Sequence, residues 1–144
     1  ENFKISKENK YNRKLFYYKS YVPDTDIGFY TKKKCNTNID HVVSLKDAYD
    51  SGARFWKKSL KKKFANDKNN HVASCSRVNS SKGSSTPKDF LRKSYDGKGM
   101  EYTIVPFCSY LKIYYKIKLK YNLSFKNNDS LLFFKCDLLI NNEK

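Results

Sequence analysis

The sequence predicts a small single-domain α+β fold with few strands and several helices, and three observations carry that reading. The chain has 144 residues, the size of one domain, or of one domain with a terminal arm. Apolar residues make up 39% and aromatic residues 16%, enough for a core despite the heavy use of Lys and Asn. Short apolar-leaning runs at 39–45 and 71–75 alternate with segments whose apolar residues recur at helical spacing.

Taken in order, residues 1–27 read as an N-terminal arm or irregular segment rich in Lys, Asn and Tyr, and the turn-rich "YVPDTDIG" (21–28), with Pro23 and Gly28 as breakers, leads out of it. "FYTKKKCNTN" (29–38) reads as a basic strand or hairpin arm, and 39–45 as a second, more buried strand. Leu45, Ala48, Tyr49, Gly52, Ala53 and Trp56 then fall on one helical face, which predicts a helix packed on the core. Lys57, Lys58, Lys61, Lys62 and Lys63 make the next helical segment strongly basic, and Asn66 and Asp67 close it. "HVASC" (71–75) is a further strand, and the Ser- and Gly-rich end of 76–87 predicts a flexible loop. "PKDFLRK" (87–93) is a short helix with Pro87 in its first turn, and "YDGKG" (95–99) breaks the chain. From about Pro106 a long helix buries Phe107, Tyr110, Leu111, Tyr114, Ile117 and Tyr121 and turns Lys112, Lys116 and Lys120 to water. "NDSLLFFKCDLL" (128–139) is a last helix capped by Asp129 or Ser130.

Thirty Lys and Arg against 14 Asp and Glu give a formal charge of +16, which favours a polyanionic partner. Nucleic acid is the first candidate and an anionic membrane surface the second. No apolar run reaches the roughly 18–20 residues of a membrane span. The chain starts on Glu and not Met, which leaves room for a removed leader such as a signal peptide, and a secreted or periplasmic location is slightly favoured over a cytoplasmic one. The cysteines, Cys35, Cys75, Cys108 and Cys136, include no C-x-x-C pair, which argues against a zinc knuckle and leaves disulfides and free thiols both open.

Asp40 and His41 stand together at the head of a strand, Asn70 opens the next one, and Asn79 begins a short turn or helix followed by Ser80, Ser81 and Lys82. This Asp-His, Asn, Asn order resembles the HNH endonucleases, also called ββα-metal or His-Me finger nucleases. "DHVVSLKDAYDSGARFW", "FANDKNN", "NSSKGSSTPKDF" and "FCSYLKIYYKIKLKYNL" are similar, in order, to segments of bacterial and often secreted members, over roughly residues 28–130. Two positions depart from that pattern: Lys68 where Pro is usual, and His71 after Asn70 where Leu or Pro is commoner.

The resemblance implies a nuclease domain over 28–140, built as a two-stranded core plus helix with additional helices around it. It implies His41 as general base, Asp40 and Asn79 as ligands of one divalent metal, and Asn70 ordering the loop at the site by bonding backbone groups. Arg77 and Lys82 are candidate phosphate contacts. A disulfide between Cys35 and Cys108 is implied in the same way. The residue types suit the chemistry. Phosphodiester hydrolysis needs a deprotonated water and a cation against the developing charge. Asp and Asn oxygens suit Mg²⁺, with Mn²⁺ also admissible, and neutral imidazole is the natural base near neutral pH. Because neighbours on a flat strand face opposite ways, Asp40 and His41 serve one site only across a bend or bulge. DNA is the expected substrate, RNA a possible one, with little sequence preference. Lys58, Lys61 and Lys62, on one helical face, are expected to grip its phosphates. Two other readings are a non-catalytic nucleic-acid-binding protein and a cationic antibacterial toxin.

Overall fold

Two short strands well separated in sequence pair with each other, half-buried along most of their length. A computed structural model describes residues 10–93 and 102–141. Its elements are β1 (Thr37–His41), α1 (Leu45–Asp50), α2 (Lys58–Ala65), β2 (His71–Cys75), α3 (Ser76–Lys82), α4 (Pro87–Lys93), α5 (Phe107–Lys120) and α6 (Ser130–Phe134). β1 and β2 are antiparallel, in a one-to-one register from Thr37↔Cys75 to His41↔His71. β2 runs straight into α3 with no intervening loop, so the two strands and α3 form one ββα unit inside a small mixed α+β fold.

Three elements differ from expectation. Of residues 29–38, read as a strand or hairpin arm, only Thr37 and Asn38 are strand, as the start of β1, which ends at His41 rather than at Leu45. Gly28 and Lys33 close a tight turn instead, with Lys32 at φ +59° and one bridge between Ile27 and Lys34. The helix read over 45–56 stops after Asp50. Ser51 turns its Oγ onto the Asp47 carbonyl at 2.7 Å, and Gly52 takes φ +142°, which no helix admits. A 3₁₀ turn, Ala53–Phe55, then carries Trp56 on to Phe64 and Tyr121. Third, Asn79 does not begin a helix but lies inside α3, which starts at Ser76. The "YDGKG" break lies outside the described residues.

The core is aromatic. Phe16, Tyr30, Phe64, Phe90, Tyr110, Tyr114 and Phe133 are fully buried, each contributing about 1.5–3 kcal/mol through burial alone. Tyr30 meets Phe90 and Tyr110 edge-to-face, with centroids 5.0 and 5.3 Å apart. On α5 the buried face is Tyr110, Leu111, Tyr114 and Ile117, together with Lys118, which the apolar pattern leaves out. Lys118 Nζ donates to Asp47 Oδ1 at 2.8 Å, Ser51 Oγ at 2.8 Å and the Ser124 carbonyl at 2.7 Å, and Tyr114 donates to Asp47 Oδ2 at 2.5 Å. This cluster ties α1 to α5. At the other end, Asp129 caps α6 by accepting from the Leu131 amide.

Both disulfides differ from the expected Cys35–Cys108 pair: Cys35 joins Cys75, and Cys108 joins Cys136. Register decides the first. Cys35 lies just ahead of β1, whose first residue pairs with Cys75, so antiparallel pairing brings these two sulfurs together. Gly28 abuts that bridge, and a Cβ there would lie 2.4 Å from Cys75 Sγ.

Candidate active site

A cleft of about 540 Å³ opens over β1, bordered by Asn38, Asp40 and His41 below, Asn79 from α3, and Arg13, Tyr18 and Tyr21 from the N-terminal segment. His41 is buried at its floor. Its Nε2 lies 2.8 Å from the Ala65 carbonyl, which only accepts, so that nitrogen carries the proton and Nδ1 of the neutral ring keeps a lone pair. Burial pushes the His41 pKa down to about 3, the Ala65 bond working against the shift. The ring stays neutral across working pH. Tyr18 packs edge-on against it, with centroids 4.6 Å apart.

Asn70 is fully buried and clamps the chain leaving β1. Its Oδ1 accepts from the Val43 amide at 2.8 Å, its Nδ2 donates to the Val43 carbonyl at 2.9 Å, and its own carbonyl accepts from the Val42 amide. This two-point hold fixes the exit of β1 beside His41.

Asp40 faces the other way. Tyr30 donates to its Oδ2 at 2.6 Å, and Lys82 Nζ lies 3.3 Å from its Oδ1. Burial raises the Asp40 pKa, with Lys82 and Tyr30 pulling back toward the charged form. The expected bend or bulge is absent from the ladder: pairing is one-to-one through Asp40↔Val72 and His41↔His71, and the two side chains take opposite faces. Asn79 donates from Nδ2 to Asn38 Oδ1 at 2.7 Å, which leaves its own Oδ1 as the acceptor end.

Among the described residues no cluster of three or more His, Cys, Asp and Glu is placed to hold a metal ion. Asp40 and Asn79 border one cleft and offer only oxygens. Each Asp40 oxygen takes one hydrogen bond and keeps a lone pair. Oxygen donors of this type suit a hard ion that keeps most of its shell as water and phosphate and do not suit a structural metal centre, and at Asp40 such an ion would share the carboxylate with the Lys82 ammonium.

The basic candidates separate. Lys82 cannot reach a phosphate: it has no exposed surface, and its Nζ bonds Asp40 and the carbonyls of His41 and Val42. That expectation is corrected, because a carboxylate and two strand-end carbonyls hold the ammonium inside. Arg77 is exposed on α3 and does not border the cleft. On α2, Lys61 donates to the Trp56 carbonyl at 2.9 Å, Lys58 covers the Tyr17 ring at 4.6 Å, and Lys62 is exposed beside a shallow groove that shares Tyr18 with the cleft.

Sequence reasoning passed over Arg13, Tyr18, Tyr21 and His71. The first three fall in a segment read as an arm. His71 stands in the sequence only as a departure from the family pattern, but in register it lies opposite His41. That pairing was the signal that could have found it.

The pattern of the GmrSD restriction endonucleases, C-terminal domain, matches residues 1–134. The chain belongs to this family. The GmrSD C-terminal domain is part of a restriction endonuclease, so this chain sits in a nuclease family, and the match runs through residues 1–27 as well as the ββα unit. An uncharacterized secreted protein of Arthroderma benhamiae is 35% identical over 93 residues, covering 62% of this GmrSD-type chain. The chain spans 40% of that protein's length. No solved structure matches it.

Proposed function

We propose that the protein is an endonuclease of the HNH type that hydrolyses DNA phosphodiester bonds with the aid of one divalent ion, Mg²⁺ first and Mn²⁺ second. The observation that carries the reading is His41: a neutral imidazole at the floor of a cleft, its Nε2 proton held by the Ala65 carbonyl and its Nδ1 left as the acceptor. That nitrogen takes the proton from the attacking water. Asp40 and Asn79 would hold the ion, which when bound offsets charge on the scissile phosphate. Asn70 keeps His41 in place through Val43. Arg13, at the cleft wall, and the exposed lysines of α2 draw the polyanion in. Two disulfides and the secreted relative favour an oxidising compartment outside the cytosol.

The Lys82–Asp40 pair favours one rival reading, in which the ββα unit is a scaffold for binding without cleavage. One experiment separates the two: plasmid, linear DNA and RNA incubated with the protein in Mg²⁺, Mn²⁺, Ca²⁺ and EDTA. Nicking of plasmid in Mg²⁺ but not EDTA is expected, and His41→Ala should lower the rate by about 10²–10⁴-fold with binding retained. Binding without nicking in every ion establishes the scaffold. Cleavage by His41→Ala at more than a tenth of the wild-type rate removes His41 as the base.

A further inference from the structure

His71 is the departure that the catalytic reading does not use, yet it touches the base. Its ring lies 4.7 Å from that of His41 at an interplanar angle of 86°. Its Nε2 is 2.9 Å from the Ala65 carbonyl, the oxygen that also binds His41 Nε2 at 2.8 Å. The acceptor forces the proton onto Nε2 of both rings, and His71 Nδ1 then accepts from the Tyr21 hydroxyl at 2.8 Å.

Ala65 is the last residue of α2, where carbonyls have no partner inside the helix. Asn66 serves the Lys62 carbonyl and the Asp67 amide serves that of Phe64. The Ala65 carbonyl is served by the two imidazoles, one for each lone pair.

We propose that His71, held by Tyr21, is a positioning residue for cleavage: it fixes the Ala65 carbonyl and through it the tautomer and tilt of the His41 ring. The catalytic half of this statement rests on His41 being the base. A carbonyl oxygen cannot hand on a proton, so the linkage orients and does not relay. The Tyr21 hydroxyl bonds His71 Nδ1, so its removal reaches His41 through His71, and the two positions are therefore coupled.

The test pairs steady-state cleavage of plasmid in Mg²⁺ with NMR of the histidine ring nitrogens in DNA-free protein, for wild type, Tyr21→Phe, His71→Leu, His71→Gln and the Tyr21→Phe/His71→Leu double variant. Expected are a fall in kcat of roughly tenfold for His71→Leu with KM unchanged, and a double variant no slower than His71→Leu. His71→Gln, which keeps a donor, should recover much of the rate. Wild-type spectra should show His41 as the single Nε2–H tautomer, and His71→Leu should show both tautomers. Tyr21→Phe loses one oxygen atom, so it carries the comparison if His71→Leu does not fold. Unchanged His41 nitrogen signals in the variants, or a change confined to KM, overturn the proposal. A wild type that never cleaves overturns the catalytic reading instead, and the ring nitrogens then decide the positioning by themselves.

Discussion

A lysine ammonium with no exposed surface needs each of its protons accepted, and Lys82 and Lys118 meet that need in the same way. Each has three acceptors, one of them an aspartate, and in each case a tyrosine hydroxyl donates to the other oxygen of that aspartate: Tyr30 for Asp40 and Tyr114 for Asp47. Removing one partner of such a pair leaves an uncompensated charge, whereas removing both is far milder. Lys82→Met is therefore expected to lower stability by about 3–5 kcal/mol, and Asp40→Asn in the same chain to recover much of it, as urea unfolding would measure. A double variant as unstable as Lys82→Met would mean that packing, not charge, is what Lys82 supplies. Neither buried lysine was legible in the sequence. A Lys in a polar stretch such as "NSSKGSS" looks solvated, and the carboxylate that draws it inside lies 42 residues earlier.

The disulfides act on different elements, and their loss is expected to have different effects. Cys35–Cys75 joins the lead into β1 to the end of β2, one residue ahead of α3, while Cys108–Cys136 joins the start of α5 to the turn after α6. With sequence separations of 40 and 28, each constrains the unfolded chain by roughly 4 kcal/mol. Cys108→Ser/Cys136→Ser should lower the melting temperature and leave kcat near wild type once folded. Cys35→Ser/Cys75→Ser should lower both, since Asn79 hangs on that junction, and equal kcat losses in the two variants would refute the distinction. The elements set by local chemistry were legible: β2 from its short apolar-leaning run around Val72, α4 from Pro87, α5 from its apolar period and α6 from Asp129. The Ser51 break was not, because it is fixed from outside, by Lys118 Nζ on Ser51 Oγ and by the Ser124 amide on the Ser51 carbonyl. At the site, Asp40, His41, Asn70 and Asn79 are the residues that the family resemblance names; Asp40, His41 and Asn79 border one cleft, and Asn70 holds the chain leaving β1. Tyr21 and His71 were missed because only strand register and the fold-back of residues 10–21 bring them to His41.

Over the whole molecule, a formal charge of +16 makes any attraction to nucleic acid strongly dependent on salt, but not every lysine contributes to it. Lys120 pairs with Asp67 at 2.7 Å, and Lys61 is held by the Trp56 carbonyl. Lys58→Gln/Lys62→Gln is expected to reduce the slope of log K against log salt by about 1.8, at 0.9 per contact, for DNA of any sequence. Lys61→Gln should leave it unchanged. DNA binding titrations in EDTA across a salt series would measure both, and a wild-type slope in the double variant would make α2 a merely solvated face. Gly28 has a consequence that reaches past one molecule. The volume that its missing Cβ leaves is filled by the Cys75 sulfur, so a side chain at position 28 and the Cys35–Cys75 bond are expected to exclude one another. A relative that carries a side chain at this position has to have given up the Cys35–Cys75 bond or moved its strand, and one that has lost the bond is free to vary here. Covariation between this glycine and the two half-cystines is the pattern expected among relatives, and an alignment in which they vary independently would refute it.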